Sequence, residues 1–253
     1  MRHYGRISGI LVVVALTLLL AAACDSGSDP PLSKVFKASP WTGQETYSYE
    51  LLDQGNNLTG TCDLKTTPEI QPGQTFLEQL CGNGKGDRDD RHATVDSKTL
   101  LPITTMRTIF DVKNNKTTTF TTTYSYPTVS LHADENGKTH DTTRDLPKPS
   151  SDSPDPGYYD DESLFWVVRG VPLEKDWQGS YDDINASLGS VFSTTIKVES
   201  TEKLKVPAGE YTAWRVRVET NDDTNYFWID EAAPHEVVQV AFADVTYKLT
   251  AVK

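Results

Sequence analysis

Apolar and polar residues alternate along the C-terminal part of the chain, from Lys205 to Lys253. Between Tyr211 and Thr220 the apolar positions 214, 216 and 218 are separated by charged residues, and this period of two marks a half-buried strand. Turn-forming residues occur at 206–209, 221–224 and 232–234. The pattern predicts an antiparallel meander with strands at 211–220, 225–230, 237–242 and 245–252.

The same alternation recurs earlier in the chain. Hairpins are predicted where strand-like stretches flank residues that tolerate a positive φ angle, namely Gly55-Asn56-Asn57, Asn114-Asn115 and Asn136-Gly137. Asn-Gly is the strongest of these signals, and the polar residues around it predict a projecting or edge hairpin over 129–143. The fold class predicted is all-β and mainly antiparallel, a strongly curved sheet or open β-barrel with one or two short helices.

The segment from Pro147 to Gly157 interrupts this pattern. It is rich in Pro, Ser and Asp, which predicts a linker or a long surface loop. An apolar run follows from Leu164 to Gly170, with acidic residues before it and glycine at its end, and these flanks favour a short buried helix. The β-branched pair Val167-Val168 would also suit a strand, which is the alternative.

The N-terminal residues resemble an export signal. Arg2 and Arg6 precede an uncharged apolar run, 7–23, which ends in three alanines before Cys24. This run is short for a bilayer-spanning helix, which needs roughly 20 apolar residues. The cysteine after the alanines resembles a bacterial lipobox, although Leu20 lies one position farther from it than usual. We predict a lipoprotein signal peptide at 1–23, a flexible tether at 24–40 and a single β domain at 41–253. An uncleaved anchor helix or an ordinary secretory peptide is the alternative.

Lipidation of Cys24 would make the membrane a partner of the protein. Several acyl chains anchor stably, because each buried CH₂ contributes about 0.8 kcal/mol and one chain alone binds marginally. We therefore expect the protein at the bacterial cell membrane, lipid-anchored and facing the extracytoplasmic side. Asp25 resembles an inner-membrane retention signal, but the sequence leaves the choice between inner and outer membrane open.

The two remaining cysteines, Cys62 and Cys81, predict a disulfide. Bridges persist outside the cytoplasm, and an even pair remains once Cys24 is assigned to lipid. A metal role is disfavoured, because zinc sites need about four ligands at close spacing.

The charge of the chain excludes some partners. The 253 residues carry a formal net charge of −12, and loss of Arg2 and Arg6 with the signal peptide takes this to −14. Such an acidic surface argues against binding to nucleic acid or to anionic lipid head groups. The length that remains suffices for one large β domain.

No motif for catalysis, a cofactor or a metal is recognisable. The histidines share no metal-ligand spacing, and no nucleophile elbow, phosphate loop or dinucleotide fingerprint occurs. The run Gly82–Asp90 lacks the alternate carboxylates of a calcium loop, so a solvated loop is favoured. Acid pairs such as Asp160-Asp161 and Asp222-Asp223 could act together only if folding brought them into one cleft. We predict no enzymatic activity and no cofactor.

Four stretches carry a resemblance to a known family: Trp41–Tyr47, Trp166–Leu173, Val206–Tyr211 and Phe227–Asp230. Together they resemble a bacterial family of exported β-rich lipoproteins classed as a domain of unknown function. The resemblance implies a single curved antiparallel sheet or open barrel, similar to lipoprotein-carrier folds that enclose an acyl chain. It implies no activity and no catalytic residues.

Aromatic and arginine side chains supply a candidate ligand site. Small-ligand sites combine apolar walls with a few polar groups. The candidate residues are Trp166, Arg169, Tyr211, Trp214, Arg215 and Trp228. Plain core packing is the alternative, since aromatics dominate β cores and arginine can lie along them.

Three functional hypotheses follow. The first is a non-catalytic, membrane-anchored lipoprotein that binds a lipid or another apolar small molecule in the concave face of its sheet. The second is a scaffold module that contacts an envelope protein through sheet edges or the Asn136-Gly137 hairpin. The third is an envelope hydrolase with two carboxylates about 5 to 10 Å apart. A filled interior would weigh against the first, and the absence of such an acid pair would weigh against the third.

Overall fold

The computed structural model describes residues 35–148, 157–221 and 223–253. The predicted signal peptide, the lipidation site Cys24, residues 24–34 of the predicted tether and most of the predicted loop at 147–157 lie outside these ranges. Within them, no helix combines the length and the apolar character needed to cross a membrane.

The described residues form fifteen strands and one short α-helix. In chain order they are β1 (Glu45–Leu52), β2 (Leu58–Gln71), β3 (Gln74–Gly82), β4 (Arg88–Asp96), β5 (Pro102–Asp111), β6 (Lys116–Ser125), β7 (Thr128–Glu135), β8 (Lys138–Asp145), β9 (Tyr158–Asp160), α1 (Leu164–Val167), β10 (Gln178–Asn185), β11 (Ser190–Val206), β12 (Gly209–Thr220), β13 (Asp223–Asp230), β14 (Val237–Ala241) and β15 (Thr246–Val252).

All fifteen strands join in one open, curled sheet. Their order across it is β8-β7-β6-β5-β4-β3-β2-β1-β15-β14-β13-β12-β11-β10-β9. Only β9 and β10 are parallel to each other. The strands β1 to β8 lie side by side in sequence order, and so do β9 to β15. The two groups meet at a seam, where β1 pairs with β15. The predicted all-β, mainly antiparallel, curved sheet is confirmed.

Residues with positive φ angles form the tight turns between strands. Asn115 (φ 48°) lies in the β5–β6 turn, and Asn136 (φ 50°) and Gly137 (φ 85°) form the β7–β8 turn. Asparagine and glycine adopt this left-handed conformation more readily than other residues. The two hairpins and the C-terminal meander β12 to β15 are therefore confirmed where the sequence predicted them.

The β7–β8 hairpin forms one edge of the sheet, as predicted. Seven of the eight residues of β8 are exposed, and Lys138, Arg144 and Asp145 give the strand charge of both signs. Charged side chains on an edge strand discourage pairing with another chain.

The turns of this sheet alternate between its two ends. The first turn, 53–57, lies at the same end as the turns at 83–87, 112–115, 186–189 and 242–245, because successive strands run antiparallel. Gln54 contacts the last of these, its Nε2 donating to the Ala243 carbonyl oxygen at 3.1 Å. We call this the first-turn end.

A short segment, which we call the plug, crosses the concave inner face of the sheet. It comprises β9, a 3₁₀ turn at Asp161–Ser163, α1 and a second 3₁₀ turn at Val168–Gly170. The predicted buried helix is confirmed, but its α-helical part is only one turn long. Asp160 caps the first 3₁₀ turn, because its carboxylate accepts the backbone N–H of Glu162 at 3.0 Å.

The main hydrophobic core lies between the plug and the inner face. The Trp166 side chain is buried, and its Nε1 donates to Thr66 Oγ1 on β2 at 2.8 Å. The Phe165 ring packs edge-on against Phe227 of β13, with centroids 5.5 Å apart. Side chains of the plug thus fill the middle of the concave face.

The packed part of the chain begins before Trp41. Val35 and Phe36 are 1% and 6% exposed, and the Lys37 backbone N–H donates to the Gly170 carbonyl at 2.9 Å. A Cβ atom on Gly170 would meet the Phe36 ring at 2.0 Å, so this position requires glycine. Residues 35–40 therefore belong to the β domain, which corrects the predicted tether at 24–40. They pack at the end of the sheet opposite the first-turn end.

Candidate functional site

Three charged side chains of β4 and β5 lie on the inner face. The strand register places Asp89 beside Cys81, and Arg91 beside Gln79 and Arg107. Residues paired across antiparallel strands share a face, and Cys81 and Gln79 are buried. The two arginines and the aspartate therefore face the interior.

The sequence pattern placed the beginning of this strand wrongly. Residues 82–90 were expected to form a solvated loop, but the loop spans only 83–87 and β4 begins at Arg88. One signal could have revealed the inward charges. Asp89 and Arg91 have the same parity along the strand as the apolar Ala93 and Val95, which are buried.

The three charged groups form a network. Arg107 donates from Nε to Asp89 Oδ1 at 2.9 Å and from Nη2 to Asp89 Oδ2 at 2.8 Å, and Arg91 Nη2 reaches the same Oδ2 at 3.0 Å. Burial alone would raise the pKa of Asp89, but the two guanidinium groups outweigh it and hold this pKa below its ordinary value.

Arg91 also connects β4 to the plug. Its Nη1 lies 3.2 Å from Glu162 Oε2 and 3.7 Å from Asp161 Oδ2. Burial raises the pKa of Glu162 to about 8, with the negative charges of Asp161 and Asp160 adding to the effect. Arg91 opposes this shift only in part, because its charge is shared with Asp89 and Asp161.

Asp160 attaches the plug to β5 and β6. Its Oδ2 accepts the Thr105 hydroxyl at 2.8 Å and also accepts the Tyr124 hydroxyl. Burial raises the pKa of Asp160 to about 6 despite these hydrogen bonds. The partners satisfy the carboxylate within the fold, so this residue positions the plug.

An apolar groove lies beside the network, at the first-turn end. Its volume is about 460 Å³, and residues from β1 to β5 line it, chiefly Leu51, Thr59, Cys81, Asp89, Ile109 and Phe110. Ile109 pairs with Asp89, which places its side chain on the inner face. The Arg88 guanidinium stacks over the Phe110 ring, 4.3 Å from its centroid. The groove thus has a mostly apolar surface, and its lining also holds the Arg88 guanidinium and three carboxylates, Asp87, Asp89 and Asp111.

Two of the six predicted ligand-binding residues lie in the interior, where other parts of the protein contact them. Trp166 belongs to the core. Arg169 forms an ion pair with Glu45 and donates to the carbonyl oxygens of Pro234 and His235, both at 3.0 Å. Its side chain is 2% exposed, so it serves the packing of the plug and not the mouth of a cavity.

Two more of these residues lie on the outer face. Arg215 pairs with Trp228, and the residues that follow Arg215 and precede Trp228, Val216 and Phe227, are buried on the inner side. The Arg215 guanidinium lies 4.2 Å from the centroid of the Tyr226 ring. Trp228 donates its indole N–H to Glu202.

The last two are half-buried on β12. Tyr211 pairs with Leu204 at the tip of the β11–β12 hairpin, and Trp214 pairs with Ile229. The structure therefore divides the six residues between the plug, the outer face and a hairpin, and does not bring them together into one cavity. The prediction that they bind a ligand together has no common site to support it.

The disulfide prediction is confirmed. Cys62 and Cys81 are direct partners across β2 and β3, and a disulfide joins them with Cα atoms 4.0 Å apart. It lies beside the apolar groove, which Cys81 helps to line.

No metal-binding cluster is formed by the described residues, and acidic side chains among them line one small cavity. In ranges 35–148, 157–221 and 223–253, no three His, Cys, Asp or Glu side chains are placed to hold a metal ion. Asp161 and Asp183 do line one cavity, as the hydrolase hypothesis required of two acids. Its volume of about 200 Å³ is below the roughly 300 to 1,000 Å³ of sites for drug-sized ligands, so it suits only a smaller molecule.

Comparison with known proteins gives one family and several distant structures. Residues 82–250 match the family model described as "Protein of unknown function (DUF3108)". No curated protein matches the chain. A β-barrel-like DUF1849 protein from Brucella abortus is 10% identical, with a TM-score of 0.43 over 86% of this chain and 98% of that one.

Two further solved structures are similarly distant in sequence. A candidate exported protein with a YmcC-like fold from Bacteroides fragilis is 14% identical, with a TM-score of 0.32 over 87% of this chain and 99% of that one. A candidate lipoprotein from Parabacteroides distasonis is 10% identical, with a TM-score of 0.29 over the same shares of both chains.

Proposed function

The chain belongs to the DUF3108 family of proteins of unknown function, and from this premise we propose that it is an exported, lipid-anchored, non-catalytic binding protein. Its ligand is an apolar or amphipathic small molecule, held in the apolar groove. The family resemblance seen in the sequence, to a bacterial β-rich domain of unknown function, is confirmed by this match. The ligand and the anchor are our proposals.

The apolar groove is the observation that carries the proposal. Its volume of about 460 Å³ lies within the range of small-molecule sites, and its lining is mostly apolar. Leu51 and Ile109 supply aliphatic walls, while Arg88 and the acids Asp87, Asp89 and Asp111 supply charged groups that would orient a polar group. Such a combination of apolar walls and few polar groups is typical of ligand sites.

The plug limits the size of the ligand. Because Trp166 and its neighbours occupy the middle of the concave face, the space for a ligand is restricted to the first-turn end. The proposed ligand is therefore a small molecule or one short part of a lipid, and not a whole acyl chain enclosed along the full sheet.

The position of the groove suits a protein anchored through Cys24. Val35 and Phe36 pack at the opposite end of the sheet, beside Gly170 and Gly179. An anchor joined to these residues would leave the groove open at the end remote from its attachment. This arrangement suits capture of a ligand from the surroundings better than extraction from the membrane that holds the anchor.

Fluorescence of 1-N-phenylnaphthylamine, a neutral apolar probe, tests the proposal. The parent protein is the full chain with Cys24→Ser, which removes the lipidation site and leaves the described residues unchanged. We expect saturable binding to the parent and at least a tenfold weaker affinity for Ile109→Asp, because a charge would be placed on the groove wall. Ile109→Trp, which fills the groove without adding charge, should weaken binding similarly.

Met106→Asp is the matched control. Met106 lies on the same strand, is apolar and 38% exposed, and its side chain points to the outer face because it is three residues from Ile109. Its affinity should equal that of the parent. Equal affinities for the parent and both Ile109 variants would show that the probe binds elsewhere and would refute the groove as the site.

A further inference from the structure

A second cavity lies between the plug and strands β10 to β13, also at the first-turn end. Its volume is about 200 Å³, and its lining includes Asp161, Leu164, Asp183, Asp223, Asn225 and Phe242. It shares no lining residue with the apolar groove. An inference about this cavity is therefore independent of the proposed function.

Asp183 lines this cavity and has a carboxylate oxygen without a partner among the described residues. The residue is 5% exposed, and its Oδ1 atom has no hydrogen-bond partner among the described residues. Glu162 Oε2 in the plug also lacks a hydrogen bond, but it lies 3.2 Å from Arg91 Nη1, whereas no cation of the described residues is paired with Asp183. Leaving a buried acceptor unsatisfied costs about 1 to 3 kcal/mol, so a donor is expected to occupy the space that Asp183 faces.

The charged residues that line the cavity are all acidic. Among the described residues, its lining contains three acids, Asp161, Asp183 and Asp223, and no Lys, Arg or His. Arg91 contacts Asp161 from outside the lining, but the same guanidinium also serves Asp89 and Glu162. The group that complements this lining is therefore a cation.

The acids near Asp183 affect its protonation, and a cation would affect it in the opposite direction. Burial and the negative charges of Asp161, Asp160 and Glu162 hold the pKa of Asp183 well above its usual range. A cation placed beside the carboxylate would act in the opposite direction and favour its ionised form.

We propose that this cavity binds a small organic ammonium ion, which donates an N–H to Asp183 while a short apolar body lies against Leu164 and Phe242. The amide of Asn225 supplies a further polar contact at the lining. A metal ion fits less well, because no three carboxylates of the described chain converge in a way that could hold one. A volume of about 200 Å³ equals on the order of six to seven water molecules, which matches an ammonium ion with a short alkyl chain.

Titration of the full chain carrying Cys24→Ser with n-butylammonium chloride, followed by ¹H–¹⁵N NMR at constant ionic strength, tests the proposal. We expect saturable shifts of backbone amides around Asp183 and Asn225, and an affinity at least tenfold lower in Asp183→Asn. Asp223→Asn, at an exposed part of the lining, should lower the affinity by a smaller factor of two to five. The neutral analogue 1-butanol should give no saturable shift there.

Asp182→Asn is the matched control, because it makes the same substitution at the adjacent position of β10, whose side chain points to the opposite face. Its affinity should stay within twofold of the parent value. Equal affinities for Asp183→Asn and Asp182→Asn would mean that the ion responds only to the net charge of the protein, and the proposal would be overturned. Shifts that do not saturate, or equal binding of 1-butanol, would overturn it as well.

Discussion

Replacing Arg169 with alanine should strongly destabilise the protein, although the sequence pattern suggested a ligand-binding role for this residue. The substitution removes the partner of the Glu45 carboxylate and the donor to the carbonyl oxygens of Pro234 and His235. It also removes a contact to the Tyr47 hydroxyl at 3.2 Å and a guanidinium that lies 4.9 Å from the centroid of the Tyr47 ring. Together these contacts join the end of the plug to β1 and to the β13–β14 turn.

The expected magnitude follows from burial. Removing one member of a buried ion pair typically costs about 3 to 5 kcal/mol, because the other charge stays buried without compensation. The Arg169 and Glu45 side chains are 2% and 11% exposed, so water cannot replace the guanidinium fully. A loss of this size is a large part of a typical free energy of unfolding of about 5 to 15 kcal/mol.

Urea unfolding followed by tryptophan fluorescence measures the loss. The control is Arg215→Ala, since Arg215 is 37% exposed, lies 3.4 Å from Glu199, and should cost only about 0 to 1 kcal/mol. The double variant Arg169→Met with Glu45→Met should recover at least half of the loss, because no unpaired charge remains buried. A loss below about 1 kcal/mol for Arg169→Ala, or a double variant less stable than the single one, would refute this reasoning.

Two further predictions concern stability. Replacing Cys62 and Cys81 together by alanine should lower the free energy of unfolding by about 3 kcal/mol, because the disulfide closes a loop with a sequence separation of 19; an unchanged urea midpoint would contradict this. The free energy of unfolding should also fall as the pH rises from about 5 to about 8. Burial raises the pKa of Glu162 to about 8 in the folded state, so over this interval the folded protein retains a proton that the unfolded chain has released. Glu162→Gln should reduce that slope, and a slope that is unaffected by the substitution would count against the assignment.

Local signals in the sequence were sufficient for the strands and many of the turns. The residue pairs Asn114-Asn115 and Asn136-Gly137 specify hairpins because the conformational preference of each residue acts over only a few positions. The disulfide was also predictable, since the compartment and the count of cysteines left one pairing. These features depend little on distant parts of the chain.

Features that depend on distant contacts were not predictable in the same way. The alternation over 106–112 groups Met106 with Val112 on an apolar face, yet these residues are 38% and 57% exposed. The polar Thr105 faces inward instead, because Asp160 of the plug accepts its hydroxyl. The sequence gives no sign that a segment some fifty positions later lies on this part of the sheet.

The candidate site was also hard to predict, because it depends on contacts between distant parts of the chain. Aromatic residues could be recognised as an enriched group, but their distribution between faces depends on the strand register and on the plug. Trp166 is buried against Thr66, whereas Trp228 lies on the outer face beside Glu202. The inward charges Asp89 and Arg91 were missed because the glycine- and aspartate-rich run before them obscured the beginning of β4.

The seam between β1 and β15 has a consequence for the order of folding. The strands β1 to β8 can assemble from hairpins between neighbours in sequence. β1 nevertheless lacks its second neighbour until β15 pairs with it, since Thr46 and Lys253 exchange backbone hydrogen bonds at 3.0 and 2.9 Å. Closing a connection of this length is entropically costly and slow. During folding β1 therefore presents one unpaired edge until β15 docks, and loss of β15 would leave that edge open to association with other chains.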